Sequence, residues 1–486
     1  METKIFKDTE DEIKQAAQII ADGGLVAFPT ETVYGLGADA LNPEAVGKVY
    51  AAKGRPSDNP MIVHIAREED LSKLTDTVTP DMEALMDVFW PGPLTMIVRR
   101  KPVVPDVTTG GLDTVGVRMP SNEVALALIE ESGCPIAAPS ANLSGKPSPT
   151  SAEHVIDDLN GRIDGIITSY DCEFGIESTV VDMTGDEPMI LRPGMITARD
   201  IEAILHKPVA LDPTLNRRPG ELKGEIGDFH PKAPGMKYKH YAPKAHMTIY
   251  EGDDKEAVFA AIDMDRAERE ALGEKVVVIS YDSEHPEKAA KHFFAELRAA
   301  DKHGADAILA AAIEEKGVGF SVMNRMLKSA GYNIKKVEKE VEKMTIALAS
   351  DHGGFRLKEQ IKEHLEARGL DTKDLGTHSE DSVDYPIFGQ KCGEAVASGE
   401  ADLGIVVCGT GIGISIAANK VKGVRCGLCT SVEMAKLTKQ HNNANILALG
   451  GRTTAPELAM EIVDAWLDTE FEGGRHQRRV DMLDNM

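Results

Sequence analysis

The sequence predicts an α/β protein built from several folding units, and three observations carry that reading. Its 486 residues ask for two to four units at roughly 100–200 residues each. Two stretches read as linkers: 212–244, dense in proline and glycine (Pro213, Pro219, Gly220, Gly224, Gly227, Pro231, Pro234, Gly235, Pro243), and 335–343, KKVEKEVEK, almost wholly charged. The last third, 344–486, repeats a strand pattern followed by a helix pattern five times, which predicts a doubly wound parallel sheet.

The remaining pieces follow from these cuts. Residues 1–211 mix a helical pattern (9–21) with β-rich runs (25–29, 114–119, 178–182), a mixed α/β domain. Residues 245–334 open with a strand (247–250), continue through a helix and a second strand (275–280), and end in a long helical tail, a small α/β module. In 344–486 the strand patterns fall at 345–349, 371–375, 403–408, 424–429 and 446–449. Ligands of such sheets bind at the carboxyl ends of the strands.

Composition limits function. Asp and Glu outnumber Lys and Arg 79 to 54, and a net charge of −25 repels phosphate backbones at long range, so bulk nucleic-acid binding is disfavoured. Locally placed arginines still hold a small phosphorylated ligand, because distant charge is screened beyond ~8–10 Å. Apolar runs such as 305–313 fall short of the ~18–20 residues that span a bilayer, and the N-terminus lacks the basic start and apolar core of a signal peptide. A cytoplasmic protein without membrane contact is expected. The six sparse cysteines (Cys134, Cys172, Cys392, Cys408, Cys426, Cys429) suit free thiols in a reducing compartment. Cys426 and Cys429 form a CxxC in a β-rich run, where residues three apart point to opposite faces, so neither redox nor metal chemistry is expected there.

In the third piece, Asp351-His352, the run Cys408-Gly409-Thr410-Gly411-Ile412-Gly413-Ile414-Ser415, His441-Asn442 and Gly450-Gly451-Arg452 are all expected on one rim of the sheet. A glycine-rich turn between a buried strand and a helix presents backbone N–H groups to an anion and favours the thiolate of Cys408; a plain turn with a structural cysteine fits the same pattern. Arg475 and Arg479 stand four apart, on one face if the segment is helical, as a phosphate site or a solvated basic tail.

The ordered set ALASDHGGF, DYP, VVCGTGIGISIAANK, HNNAN, LALGGR, IVDAWL and FEGGRHQRR resembles ribose-5-phosphate isomerase B, of the family that includes galactose-6-phosphate isomerase subunits, over about 143 residues. The resemblance implies interconversion of ribose 5-phosphate and ribulose 5-phosphate through an enediolate, without cofactor or metal. It makes Cys408 the base and the 409–413 loop (Gly409, Thr410, Gly411, Ile412, Gly413) the oxyanion holder. His441 would open the ring, and Asp351, His352 and Asn442 would position hydroxyls. Arg452, Arg475 and Arg479 would receive phosphate. The family's shared pocket implies a homodimer. A hexose-6-phosphate isomerase or a non-catalytic sugar-phosphate sensor stays open as an alternative.

In the first piece, a strand leads into PTETVYGLG at 29–37; Lys53-Gly54-Arg55-Pro56, Asn59, His64, Arg118, PSANLSG at 139–145, Ser178-Thr179 and Arg192-Pro193-Gly194 follow. There is no P-loop. Together with GVRMP, ESTVVD, LRPG, APGMKYKHYAP and the closing GVGFSVMNRMLKSA, these segments resemble the threonylcarbamoyl-AMP synthase family in its long two-domain form, over residues 8–332. That resemblance implies the reaction of L-threonine, bicarbonate and ATP to threonylcarbamoyl-adenylate and pyrophosphate, with Mg²⁺ carried by ATP, and passage of the product to a tRNA-modifying transferase machinery. It implies threonine contacts from Thr32, His64, Arg118, Ala138 and Ser178. For ATP it implies Lys53, Arg55, Asn59, Thr114, Ser140, Ser148, Arg192, His240 and Tyr241, with the 237–243 loop closing over the site. An RNA-binding module is the alternative for this piece.

Overall fold

A computed structural model describes residues 2–215, 241–338 and 344–485. The chain separates into two compact units, Met1–Lys339 and Glu340–Met486. No helix among the described residues is long and apolar enough to cross a membrane.

The first unit holds two sheets. Eleven strands form a mixed sheet in the order Lys4–Lys7, Gly165–Thr168, Val26–Phe28, Gly35–Asp39, Ile136–Ala137, Ile62–His64, Thr114–Arg118, Leu94–Arg99, Thr179–Asp182, Met189–Arg192 and Ala210–Leu211. Side chains alternate between two cores: Ala27 joins one cluster while Val26 and Phe28 join the other, as a two-residue period demands. Helix Pro43–Lys53 is fixed at both ends. The Asn42 side chain accepts from the N–H groups of Glu44 and Ala45, and Gly54 closes the helix in the left-handed region at φ 62°, with the Arg55 N–H donating to the Tyr50 carbonyl (3.0 Å).

Four parallel strands form the second sheet, in the order Val276–Ile279, Ala307–Ala311, His246–Glu251, Ile334–Lys336. Two expectations fail here. The helical tail is interrupted by strand Ala307–Ala311, which the alanine-rich run 305–313 hides, because alanine is the strongest helix former. Tertiary burial overrides that preference: Ile308 and Ala310 enter one core and Leu309 and Ala311 the other, the alternation of a strand covered on both faces. The charged segment 335–343 also begins inside a strand, with Val337 packed on the apolar cluster around Tyr250; residues 339–343 lie outside the described ones, as do 216–240 of the Pro/Gly-rich segment. The two sheets of this unit are tied together by Arg298, which donates to Asp158 (2.9 Å) and to the Pro147 carbonyl (2.6 Å).

The second unit is a five-stranded parallel sheet in the order Asp371–Asp374, Thr345–Ser350, Leu403–Cys408, Ile446–Gly450, Cys426–Leu428. Helices cover both faces. Cys426 packs on one core and Cys429 lies in the other, so the CxxC pair points to opposite sides of the sheet.

Candidate active sites

In the first unit, neighbouring strands deliver their ends to one pocket. His64 and Arg118 are register partners at the ends of parallel strands, and Arg192 ends the strand antiparallel to Thr179–Asp182, which places it beside Ser178. The pocket is lined by Thr32, His64, Arg118, Ala138 and Ser178, and by Arg55, Ser140, Arg192 and Tyr241, so nine of the expected residues come together. Thr30, Tyr34 and Glu177 also line it and were not among them.

Several of its polar groups are held by protein partners. Arg118 is buried, donates to Thr32 Oγ1 (2.9 Å) and to the Gly92 carbonyl (3.2 Å), and pairs with buried Glu31 at 2.5 Å. Arg192 donates to the backbone carbonyl and to Oγ of Ser178, both at 3.0 Å. Burial pulls Arg192 down to about 10 against the pull of Glu177, which leaves it cationic at neutral pH. Burial, with Arg118 adding to it, drives His64 down to about 3, so its imidazole is neutral and works as a hydrogen-bonding group rather than a base. Its Nδ1 is buried without a protein partner. Tyr241 takes a left-handed backbone (φ 66°), a conformation that costs a non-glycine residue ~1–3 kcal/mol, and rests its ring 5.0 Å from that of Phe294.

Five expected residues behave otherwise. Lys53 is buried and spends its ammonium on the carbonyls of Ser140 and Asn142, and burial holds it well below the usual lysine range; it pins the 140–144 loop instead of facing the pocket. Thr114 pairs with Arg99 four residues before Arg118, roughly 13 Å along the strand from the site. Ser148 is one bond behind the wall, donating to Glu177 Oε1 at 2.6 Å. Asn59 is buried beside Arg55, whose Nη2 donates to the Asn59 and Pro60 carbonyls, and does not line the pocket. His240 lies outside the described residues.

In the second unit, three loops meet at the carboxyl edge of the sheet. Asp351 Oδ1 accepts from the N–H groups of Gly353 (2.9 Å) and Gly354 (3.0 Å), and buried Cys408 ends the central strand. Gly451 N–H donates to the Cys408 carbonyl (2.8 Å) and Arg452 N–H to that of Gly409 (2.9 Å). A Cβ on Gly354 would lie 2.4 Å from the Val407 carbonyl oxygen, so this close approach requires glycine. Gly411, at φ 78°, turns the chain into helix Ile412–Ala418. His352 Nδ1 lies 3.2 Å from both the N–H and the carbonyl of Val383.

His441 and Asn442 do not join them. They end helix Val432–Asn442, which runs antiparallel to the strands and therefore finishes at the amino edge, where Gly404 N–H donates to the Asn445 carbonyl (3.0 Å). The six-residue strand Leu403–Cys408 sets the two edges roughly 17–20 Å apart. Arg475 and Arg479 share the far edge: Arg475 Nε lies 3.2 Å from His476 Nε2, and Arg479 follows in helix Gln477–Asp484. The expectation of one common rim is thus corrected for His441, Asn442, Arg475 and Arg479. A His/carboxylate cluster forms on the same edge: His441 stacks on His476 with centroids 4.3 Å apart, and Glu472 Oε2 lies 3.8 and 3.7 Å from their Nε2 atoms.

Protein-family models match three successive stretches: one described as telomere recombination over 18–194, one as threonylcarbamoyl-AMP synthase, C-terminal domain, over 196–331, and one as ribose/galactose isomerase over 346–483. Over 338 residues the chain is 48% identical to a threonylcarbamoyl-AMP synthase of Pyrococcus abyssi, covering 68% of this chain and 96% of that one. A crystal structure of P. abyssi Sua5 complexed with L-threonine aligns with a TM-score of 0.64 at 46% identity, covering 69% of this chain and all of that one. Over 138 residues the chain is 51% identical to ribose-5-phosphate isomerase B of Escherichia coli, covering 28% of this chain and 93% of that one. Two units with separate sites make this a fusion of two enzymes. The chain belongs to the threonylcarbamoyl-AMP synthase family through its first unit and to the ribose/galactose isomerase family through its second.

Proposed function

We propose that the chain is a bifunctional cytoplasmic enzyme. Its first unit converts L-threonine, bicarbonate and ATP into L-threonylcarbamoyladenylate and pyrophosphate, and hands the product to a tRNA-modifying transferase. Its second unit interconverts ribose 5-phosphate and ribulose 5-phosphate.

The observation that carries the first reading is the charge of the pocket. Four arginines (Arg55, Arg118, Arg192 and, behind the wall, Arg325) face two carboxylates, Glu31 and Glu177, a local excess of two positive charges in a chain of net charge −25. A triphosphate, a threonine carboxylate and a carbamate need such an excess. In this reading Arg118 takes the threonine carboxylate, while Thr32, neutral His64 and Ser178 hydrogen-bond its hydroxyl and amine along the Ala138 backbone. The amine adds to the carbon of bicarbonate with loss of water, and a carbamate oxygen then attacks the α-phosphorus as pyrophosphate leaves. Arg55, Ser140 and Arg192 hold the nucleotide, and Tyr241 closes the wall against water that would hydrolyse both intermediates. Glu31 and Glu177 are each engaged by an arginine, so Mg²⁺ enters with ATP, held by phosphates and water. Omitting threonine, bicarbonate or ATP in turn is expected to stop pyrophosphate release; release without threonine would mark a generic ATPase.

For the second unit, Cys408 removes the proton next to the carbonyl and the N–H groups of the 409–413 loop stabilise the oxyanion. His441 lies too far from Cys408 within one chain to serve the same sugar, which supports a homodimer whose site takes Cys408 from one protomer and His441, Asn442, Arg475 and Arg479 from its partner. The exposed apolar side chains of Ile412 and Ile416, one helical turn apart, and of Ile387 and Tyr385 near the Cys408 loop supply a surface for that contact. Mixing inactive Cys408→Ser and His441→Ala proteins under subunit exchange is therefore expected to restore about a quarter of wild-type isomerase activity, since half the dimers then carry one intact site. No recovery would place both residues in one subunit's site. Parallel assays with six-carbon aldose phosphates set the sugar length.

A further inference from the structure

Helix Val432–Asn442 carries His441 in its last turn, and one backbone bond brings a carboxylate beside it. The last carbonyls of a helix have no partner within it. That of Gln440 accepts from the N–H of Glu472 at 3.1 Å, which pins residue 472 next to His441. Gly473 and Gly474 then turn the chain through the left-handed region, at φ 61° and 55°, and the ring of His476 comes to rest on that of His441, parallel within 4° and 4.3 Å away. Two imidazoles and a carboxylate, from two segments well separated in sequence, thus meet in one place.

Their spacing is too long for hydrogen bonds and close to that of ligands around one ion. Glu472 Oε2 stands 3.8 Å from His441 Nε2 and 3.7 Å from His476 Nε2, beyond the ~3.2 Å reach of an N–H···O bond. One donor atom from each of the three lies within 4.8 Å of the other two. At bonds of about 2.0–2.1 Å, tetrahedral ligands of zinc are roughly 3.3–3.4 Å apart, so each imidazole-to-carboxylate gap is within about half an ångström of that spacing. The His476 side chain is 6% exposed and fixed, whereas His441 and Glu472 are half-exposed, which leaves the ion a path in and room to adjust. Nitrogen and carboxylate donors in this ratio suit Zn²⁺, while Mg²⁺ prefers an all-oxygen shell. Arg475, whose Nε lies 3.2 Å from His476 Nε2, and Arg479 oppose a cation here, which makes the site weak enough to empty again.

We propose that His441, Glu472 and His476 form a zinc site whose occupation reversibly inhibits the isomerase. This inference rests on the reading of His441 as the ring-opening group. A coordinated Nε2 has neither a lone pair nor a proton left to exchange with the ring oxygen, so the occupied site stops the step that precedes proton removal by Cys408. Isomerisation itself asks for no metal, and the synthase reaction in the first unit is untouched by this cluster.

The test uses the full-length chain, with Zn²⁺ and Mg²⁺ in the isomerase assay and Co²⁺ as a spectroscopic stand-in for zinc. Isomerisation of ribose 5-phosphate is expected to be halved by Zn²⁺ at a concentration at least about a hundredfold below that needed of Mg²⁺, and to return when EDTA is added. In Glu472→Gln and in His476→Gln, each read against its own metal-free rate, the half-inhibiting Zn²⁺ concentration is expected to rise on the order of tenfold or more. Glu472 is half-exposed, so its variant keeps the test decisive if His476→Gln does not fold. Co²⁺ is expected to give a visible spectrum without thiolate charge-transfer bands, retained in Cys408→Ser and lost in Glu472→Gln. Unchanged inhibition of Glu472→Gln, or a thiolate spectrum that disappears in Cys408→Ser, would move the metal to the cysteine and overturn the proposal. Co²⁺ held by the cluster with no loss of isomerisation in Zn²⁺ would overturn it too. If the metal-free wild-type chain does not isomerise ribose 5-phosphate, the isomerase reading falls, and the Co²⁺ spectra of wild type and Glu472→Gln still decide whether the cluster binds metal.

Discussion

Cys408→Ser is expected to lower the isomerase kcat by about 10²–10⁴-fold, the contribution of a positioned general base, while pyrophosphate release by the same preparation is unchanged. The serine hydroxyl is close to the thiol in size, so the strand end and the backbone bonds of Gly451 and Arg452 to the 408–409 carbonyls persist. What disappears is acidity: a hydroxyl is not ionised near neutral pH. Sugar-phosphate binding survives, so the loss appears in kcat rather than KM. A near-normal kcat would remove Cys408 as the base and leave Asp351, on the same edge, as the leading carboxylate.

Arg118→Ala is expected to abolish threonine-dependent pyrophosphate release and, in addition, to destabilise the first unit by about 3–5 kcal/mol. Both effects come from one geometry. Arg118 pairs with Glu31 at 2.5 Å, with both side chains nearly inaccessible, so deleting the guanidinium strands a buried carboxylate as well as removing the threonine contact. The double variant Glu31→Gln/Arg118→Met separates the two: thermal stability is expected to return towards wild type, whereas threonine binding stays weakened by ~1.5–3 kcal/mol, ten- to a hundredfold. Isomerase activity is expected to be unaffected in both. Wild-type threonine affinity in the double variant would assign the carboxylate contact to another residue.

Legibility in the sequence differed between the pieces for physical reasons. The five strand–helix repeats of 344–486 are readable because the strands are short, most of them are apolar, and helix patterns separate them; the structure places strands at all five, including the polar edge strand Asp371–Asp374. Strand Ala307–Ala311 was not, because alanine carries little β signal and only burial on both faces, a tertiary fact, selects the extended form. Motif order brought nine pocket residues together in the first unit, yet it did not separate side chains facing the ligand from those supporting the wall. Lys53 and Ser148 sit in the same motifs as Arg55 and Ser140, and only the fold shows that one is spent on carbonyls and the other on Glu177. Glu177 opens the ESTVVD segment, but its partner lies 148 residues further on, so motif order alone does not reveal its place in the wall. The edge of His441 is not legible in HNNAN, because only the fold shows that the motif closes a helix returning antiparallel to its strand, which ends at the opposite edge.

The central proposal is that one kind of polypeptide carries two independent chemistries. The most direct measurement assays both reactions in a single preparation of the full-length chain, first separately and then with all substrates present together at saturation. The account predicts threonine- and bicarbonate-dependent pyrophosphate release and pentose-phosphate isomerisation in the same sample, each at the rate it shows alone. Absence of either activity, or a rate for one that depends on the substrates of the other, would contradict it.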